Sequence, residues 1–84
     1  MKFEALVEVR LRQGISDPQG ATIERALPAL GFDAMGDVRV GKAIRLAVEA
    51  NDEQGARSRV TELCDRLLAN PVIEDSVITL LPAG

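Results

Sequence analysis

Residues 2–12 read KFEALVEVRLR. In an extended chain Phe3, Ala5, Val7, Val9 and Leu11 point one way, and Lys2, Glu4, Glu8, Arg10 and Arg12 point the other. Leu6 alone breaks the polar set. Period two with one polar face defines a strand with a single buried side. A sheet built on such a strand is covered on one face only, and the cover must come from helices elsewhere in the chain. The expected class is therefore α+β.

The rest of the chain supplies two helical patterns. Asp17 is a suitable N-cap, and Pro18 falls at the first helical position, where its missing N–H costs nothing. Ile23, Ala26, Leu27 and Leu30 follow as one apolar stripe, Pro28 loosens the last turn, and Gly31 is the left-handed stop. In the second pattern Asn51 is the expected cap, with Gln54 completing a capping box. Ala56, Val60, Leu63, Cys64 and Leu67 form its stripe, and Glu62 and Arg66 make an i, i+4 pair. Asn70-Pro71 ends it, because a residue before proline is pushed out of helical space. A last strand runs over 73–81.

Between the helices Val38, Val40, Ile44, Leu46 and Val48 all have even numbers. A two-residue hairpin at Gly41-Lys42 would set Val40 opposite Ala43 and mismatch the apolar faces. A three-residue loop keeps the parity, and so does one long strand bent at Gly41. The order is β-α-β(β)-α-β. The expected architecture is a two-layer, ferredoxin-like sandwich in a single domain, 1–84, with a one-sided antiparallel sheet covered by two helices.

Eighty-four residues with Phe3 and Phe32 as the only aromatics give a thin core. A second copy is the economical way to bury more. If the hairpin opens into one long strand, the first half of one chain completes the second half of its partner, giving a segment-exchanged dimer or a tetramer built from such dimers. The alternative is a hairpin at Val40-Gly41-Lys42 and an ordinary sheet-edge dimer.

The formal charge of −3 and the lack of aromatics interleaved with the basic residues argue against nucleic acid as a partner. One cysteine, Cys64, excludes an internal disulfide, and no apolar run approaches the length of a membrane span. A cytoplasmic domain is expected. The chain has no histidine, which removes the commonest general base and metal ligand. Cys64 lies on an apolar stripe and is read as a core residue. Asp52-Glu53 and Glu74-Asp75 are adjacent pairs whose side chains diverge, so neither is a metal site. No catalytic, cofactor-binding or metal-binding residue is expected.

Three stretches carry more than local physics: SDPQGATIERALPALGF, DVRVGKAIRLAVEA and LCDRLLANPVIEDSVI. In this order and spacing they resemble the PurS family, the small subunits of bacterial phosphoribosylformylglycinamidine (FGAM) synthase. The resemblance implies a non-catalytic subunit in de novo purine biosynthesis. It would bridge a glutaminase, PurQ, and a large synthetase, PurL, and assist ammonia transfer between them. The complex converts formylglycinamide ribonucleotide to the amidine with glutamine and ATP. ATP and Mg²⁺ belong to the synthetase, so no cofactor is expected on this chain. The candidate interface residues are Asp17, Pro18, Gly20, Gly41, Lys42, Asn70, Pro71, Val72, Ile73 and Glu74. From the residues alone, a free-standing metabolite-sensing module or an oligomerisation domain fits as well.

Overall fold

A computed structural model describes residues 1–83. The alternating segment forms β1 (Lys2–Leu11), the central strand of a three-stranded sheet. β2 (Lys42–Glu49) and β3 (Glu74–Ala83) flank it, and both run antiparallel to β1. In this register Phe3, Ala5, Val7 and Val9 share a face with Ile44, Leu46 and Val48 of β2 and with Ile78 and Leu80 of β3. The four β1 residues are buried, as the period-two pattern requires.

The two helices are treated very differently by this topology. α1 (Pro18–Ala26) belongs to a connection between antiparallel neighbours, so it starts and finishes at the same end of the sheet. α2 (Glu53–Leu63) connects β2 to β3, which are parallel to one another on either side of β1. That crossover must travel the length of the sheet, which lays α2 on its apolar face. Ala56, Val60 and Cys64 pack there against β1 and Leu80 to make the buried core.

α1 has no such constraint, and within one chain it does not lie on the sheet. Of its residues only Gly20 is buried. Ile23 is 46% exposed, and beyond the helix Leu30 is 69%, Phe32 46% and Met35 62% exposed. The expected stripe exists, but in one chain α2 alone covers the sheet, and Ile44, Leu46 and Val48 are left only partly buried. The chain measures 51 × 29 × 14 Å, with a radius of gyration of 16.4 Å. A compact chain of this length would have about 12 Å.

Several local expectations hold. Asp17 caps α1 and Pro18 opens it. Pro28 starts a short 3-10 turn, Pro28–Leu30, which Gly31 stops with a φ of 88°. Cys64 is buried, and Glu62 pairs with Arg66 at 3.5 Å and with Arg59 at 3.0 Å.

Three details differ. The cap of α2 is Asp52, not Asn51: its Oδ1 accepts the Gly55 N–H at 2.7 Å, so the helix starts one residue later than the capping-box pattern places it. Leu67 leaves the stripe and is 74% exposed. The end of α2 widens into a π turn, Cys64–Leu68, in which the Ala69 N–H donates to the Cys64 carbonyl five residues back. The extra residue per turn rotates Leu68 and Ala69 toward the core and Leu67 away from it. Finally, no hairpin forms at Val40-Gly41-Lys42. Residues 38–41 lead into β2 outside the sheet, so one strand preceded by an unpaired leader stands where a strand pair was expected.

Gly41 is needed at this junction for space. A Cβ there would lie 2.6 Å from the carbonyl oxygen of Val9, a backbone atom that cannot turn aside. Gly41→Ala is expected to destabilise the fold by about 1–3 kcal/mol, through a local shift of β1 against β2. Chemical denaturation of the variant beside the parent protein measures this.

Candidate functional site

The flagged residues fall into two places. Asp17, Pro18, Gly41 and Lys42 meet, together with Glu74, around a groove of ≈ 380 Å³ at the end of the sheet where β1 finishes and β2 begins. Residues separated by up to 57 positions in sequence therefore line one feature. Gly20 lies beside it in the first turn of α1. Asn70, Pro71, Val72 and Ile73 form a turn that leads into β3 at Glu74.

Asp17 is the most heavily used side chain at the groove. Its Oδ1 accepts the Gly20 N–H at 2.9 Å, the expected capping bond. Its Oδ2 accepts the Val40 N–H at 2.8 Å, a bond to a residue 23 positions away. Gly20 is what permits the approach: a Cβ there would sit 2.5 Å from both Asp17 Oδ2 and the Val38 carbonyl oxygen. Farther along α1, Glu24 Oε1 accepts the Val38 N–H at 2.8 Å. The Arg39 guanidinium donates to the carbonyls of Ile15 and Arg12 at 3.2 and 3.3 Å. Glu24 and Arg39 were not legible as site residues. Glu24 lies on the polar side of α1, and nothing in the spacing ties it to residue 38.

The Asp17 carboxyl is held below its ordinary value of 3.8, by the Gly20 N–H first and the Val40 N–H second. Partial desolvation opposes this, and the Arg39 charge adds to it. A depressed folded-state value means that the stabilisation is complete above the unfolded value and is lost as pH falls through the lower folded one. The cap and the Val40 bond are therefore expected to hold throughout the neutral range and to release only below pH 3.8. A pH titration of the Gly20 and Val40 amide resonances reads this directly. A midpoint above 3.8 would contradict it.

The turn before β3 is closed by its own side chains. The Asn70 N–H donates to Glu74 Oε1 at 2.7 Å, and the Val72 N–H donates to Asn70 Oδ1 at 3.0 Å. The Ile73 and Glu74 amides both return to the Asn70 carbonyl. The Ile73 carbonyl accepts the Arg12 N–H at 2.9 Å, and Arg12 Nε donates to Asp75 Oδ1 at 3.1 Å. This leaves Val72 76% exposed, close in sequence to the exposed Leu67. The Arg12–Asp75 pair is exposed on both sides and contributes under about 1 kcal/mol.

Among the described residues no three His, Cys, Asp or Glu side chains gather in a way that would hold a metal ion. Among the described residues no helix is long and apolar enough to cross a membrane. The molecule offers a groove at a chain crossing, an uncovered helix stripe and a turn bearing one exposed valine. The fold is that of a small α+β domain with one face of its sheet only partly covered.

The comparisons with known proteins give the family. Residues 4–82 match the family model described as PurS, phosphoribosylformylglycinamidine (FGAM) synthase, and the chain belongs to that family. It is 41% identical over 73 residues to the FGAM synthase subunit PurS of Methanocaldococcus jannaschii, covering 87% of this chain and 88% of that one. It is 44% identical over 75 residues to the corresponding subunit of Mycobacterium leprae, covering 89% and 91%. Among solved structures, a chain of the PurLQS structure from Thermotoga maritima superposes with a TM-score of 0.89 at 36% identity, covering 96% of this chain and 99% of that one. The M. jannaschii PurS crystal structure gives 0.86 at 36% identity, covering 98% and 99%.

Proposed function

We propose that this chain is the PurS subunit of an FGAM synthase complex, acting in purine biosynthesis beside a PurQ-type glutaminase and a PurL-type synthetase. The observation that carries the proposal is the family match over residues 4–82, joined to the close superposition on a chain of the T. maritima PurLQS structure. The chain bridges its partners and helps ammonia pass from the glutaminase to the synthetase. Glutamine hydrolysis, ATP, Mg²⁺ and the ribonucleotide belong to those partners, and this chain binds no cofactor of its own. The whole complex works in the cytoplasm. A composition without histidine, with its one cysteine in the core, supports the non-catalytic role.

The test is reconstitution. Purified glutaminase and synthetase from the same organism should form amidine from glutamine only when this chain is added. Formation at an equal rate without it would remove the proposal.

A second reading concerns self-assembly, and the shape of the single chain favours it. The leader 38–41 runs off the sheet rather than folding back, and the stripe of α1 faces solvent. The apolar face over β2 is short of cover within the chain. Two copies resolve both deficits when α1 and the leader of each lie on the β2 side of the other, which is the segment-exchanged dimer. The candidate contacts with other subunits are then the 70–74 turn with Val72 and the half-buried Glu74, and the exposed charges of Lys42 and Asp75. Lys42→Glu should weaken assembly with the partner subunits while changing stability by under about 0.5 kcal/mol. Thermal melting paired with pull-down of the partners separates the two effects.

A further inference from the structure

The leader 38–40 has an unusual set of partners. No strand among the described residues pairs with it. In an extended chain the amides of alternate residues point to the same edge. Those of Val38 and Val40 are taken by two carboxylates of one helix region, Glu24 Oε1 at 2.8 Å and Asp17 Oδ2 at 2.8 Å. The Val38 carbonyl lies against the first turn of α1 at Gly20, where no side chain fits. Arg39, between the two bonded residues, anchors to the carbonyls of Ile15 and Arg12. Four hydrogen bonds thus fix three residues of chain, 38–40, that the sheet itself does not hold.

We infer that Asp17 and Glu24 form a two-acid clamp that replaces a missing neighbour strand. The clamp holds the leader against α1, so that helix and leader meet a second copy as one preformed body. This deepens the self-assembly reading above and rests on it for its consequence.

Physically, a loose leader would have to be ordered at the moment of association, and that lost freedom weakens binding. A carboxylate suits the task because each of its oxygens accepts a separate bond. Asp17 can therefore cap the helix with one oxygen and hold the leader with the other. The edge of the leader facing α1 is thereby used up, and the opposite edge, which carries the Arg39 amide, is the one available for pairing.

The experiment uses substitutions that separate capping from clamping. Asp17→Ser keeps a good N-cap but supplies one oxygen on a shorter arm, so the Val40 bond is lost. Glu24→Ala removes the Val38 bond, whereas Glu24→Gln keeps an uncharged acceptor and should restore it. In amide hydrogen exchange on the full chain, Asp17→Ser should speed Val40, and Glu24→Ala should speed Val38, by roughly tenfold or more. Gly20 and the β1 amides should be unaffected, and Glu24→Gln should lie near the parent. The double variant should raise the dimer dissociation constant by roughly tenfold or more. Unchanged exchange at Val38 and Val40 would overturn the clamp. Faster exchange with unaltered association would overturn its role in presenting the leader to a second copy. A parent protein that stays monomeric would strike the self-assembly reading itself, while the exchange rates would still judge the clamp.

Discussion

Replacing Ile23 and Leu30 together by aspartate is expected to turn the protein into a monomer at micromolar concentration while leaving its sheet and α2 folded. Both side chains are largely solvent-exposed within one chain, 46% and 69%, so the single chain loses little by the change. In the exchanged dimer proposed above they would lie on the uncovered part of the partner's sheet, around the partly buried Ile44, Leu46 and Val48. Burying an isoleucine or leucine stabilises by about 1.5–3 kcal/mol each, and a carboxylate left against an apolar face adds a further penalty. With every 1.4 kcal/mol worth about tenfold, the double change should weaken association by at least a hundredfold. Analytical ultracentrifugation reads the mass, and circular dichroism checks that folded structure persists. A dimer of undiminished affinity would mean that the stripe contacts something other than a second copy. A parent chain that is monomeric to begin with would remove the exchange altogether.

Omitting this chain from a reconstituted FGAM synthase should abolish glutamine-dependent amidine formation and largely spare the reaction supplied with ammonium. The two substrates separate the roles. If the chain only bridges the glutaminase to the synthetase, free ammonia bypasses it, because the proposed division of roles puts the ATP-dependent step on another subunit. Handing ammonia between two sites depends on holding them together, so the loss should reach orders of magnitude, well beyond the effect of a misplaced contact. Equal loss with both nitrogen sources would show that this chain also shapes the synthetase site. Cys64→Ala gives a control in the same assay. The thiol is buried against α2's neighbours in the core, so the substitution should cost modest stability and leave turnover in the folded complex unchanged.

The parts of this protein that its sequence determined are those governed by neighbours along the chain. The alternation over residues 2–11 needs only strand geometry to become a strand with Phe3, Ala5, Val7 and Val9 inside. Asp17-Pro18, Pro28 and Gly31 act within a turn or two of themselves, so their roles in starting and ending α1 could be read directly. The family could be read too, since three motifs in fixed order carry it. Other features depended on distant partners. Both helices carry an apolar stripe, but a stripe says only that something must cover it. The topology decided that α2 crosses the sheet between parallel strands and covers it, while α1 joins adjacent antiparallel ends and stays clear. Leu67 was displaced by a π turn whose bond spans five residues, a change invisible to a pattern assuming four. The bonds from Asp17 and Glu24 to the amides of Val40 and Val38 cross 23 and 14 positions. Backbone amides carry no side-chain identity, so no residue type at 38 or 40 could announce them, and only the folded chain brings donor and acceptor together.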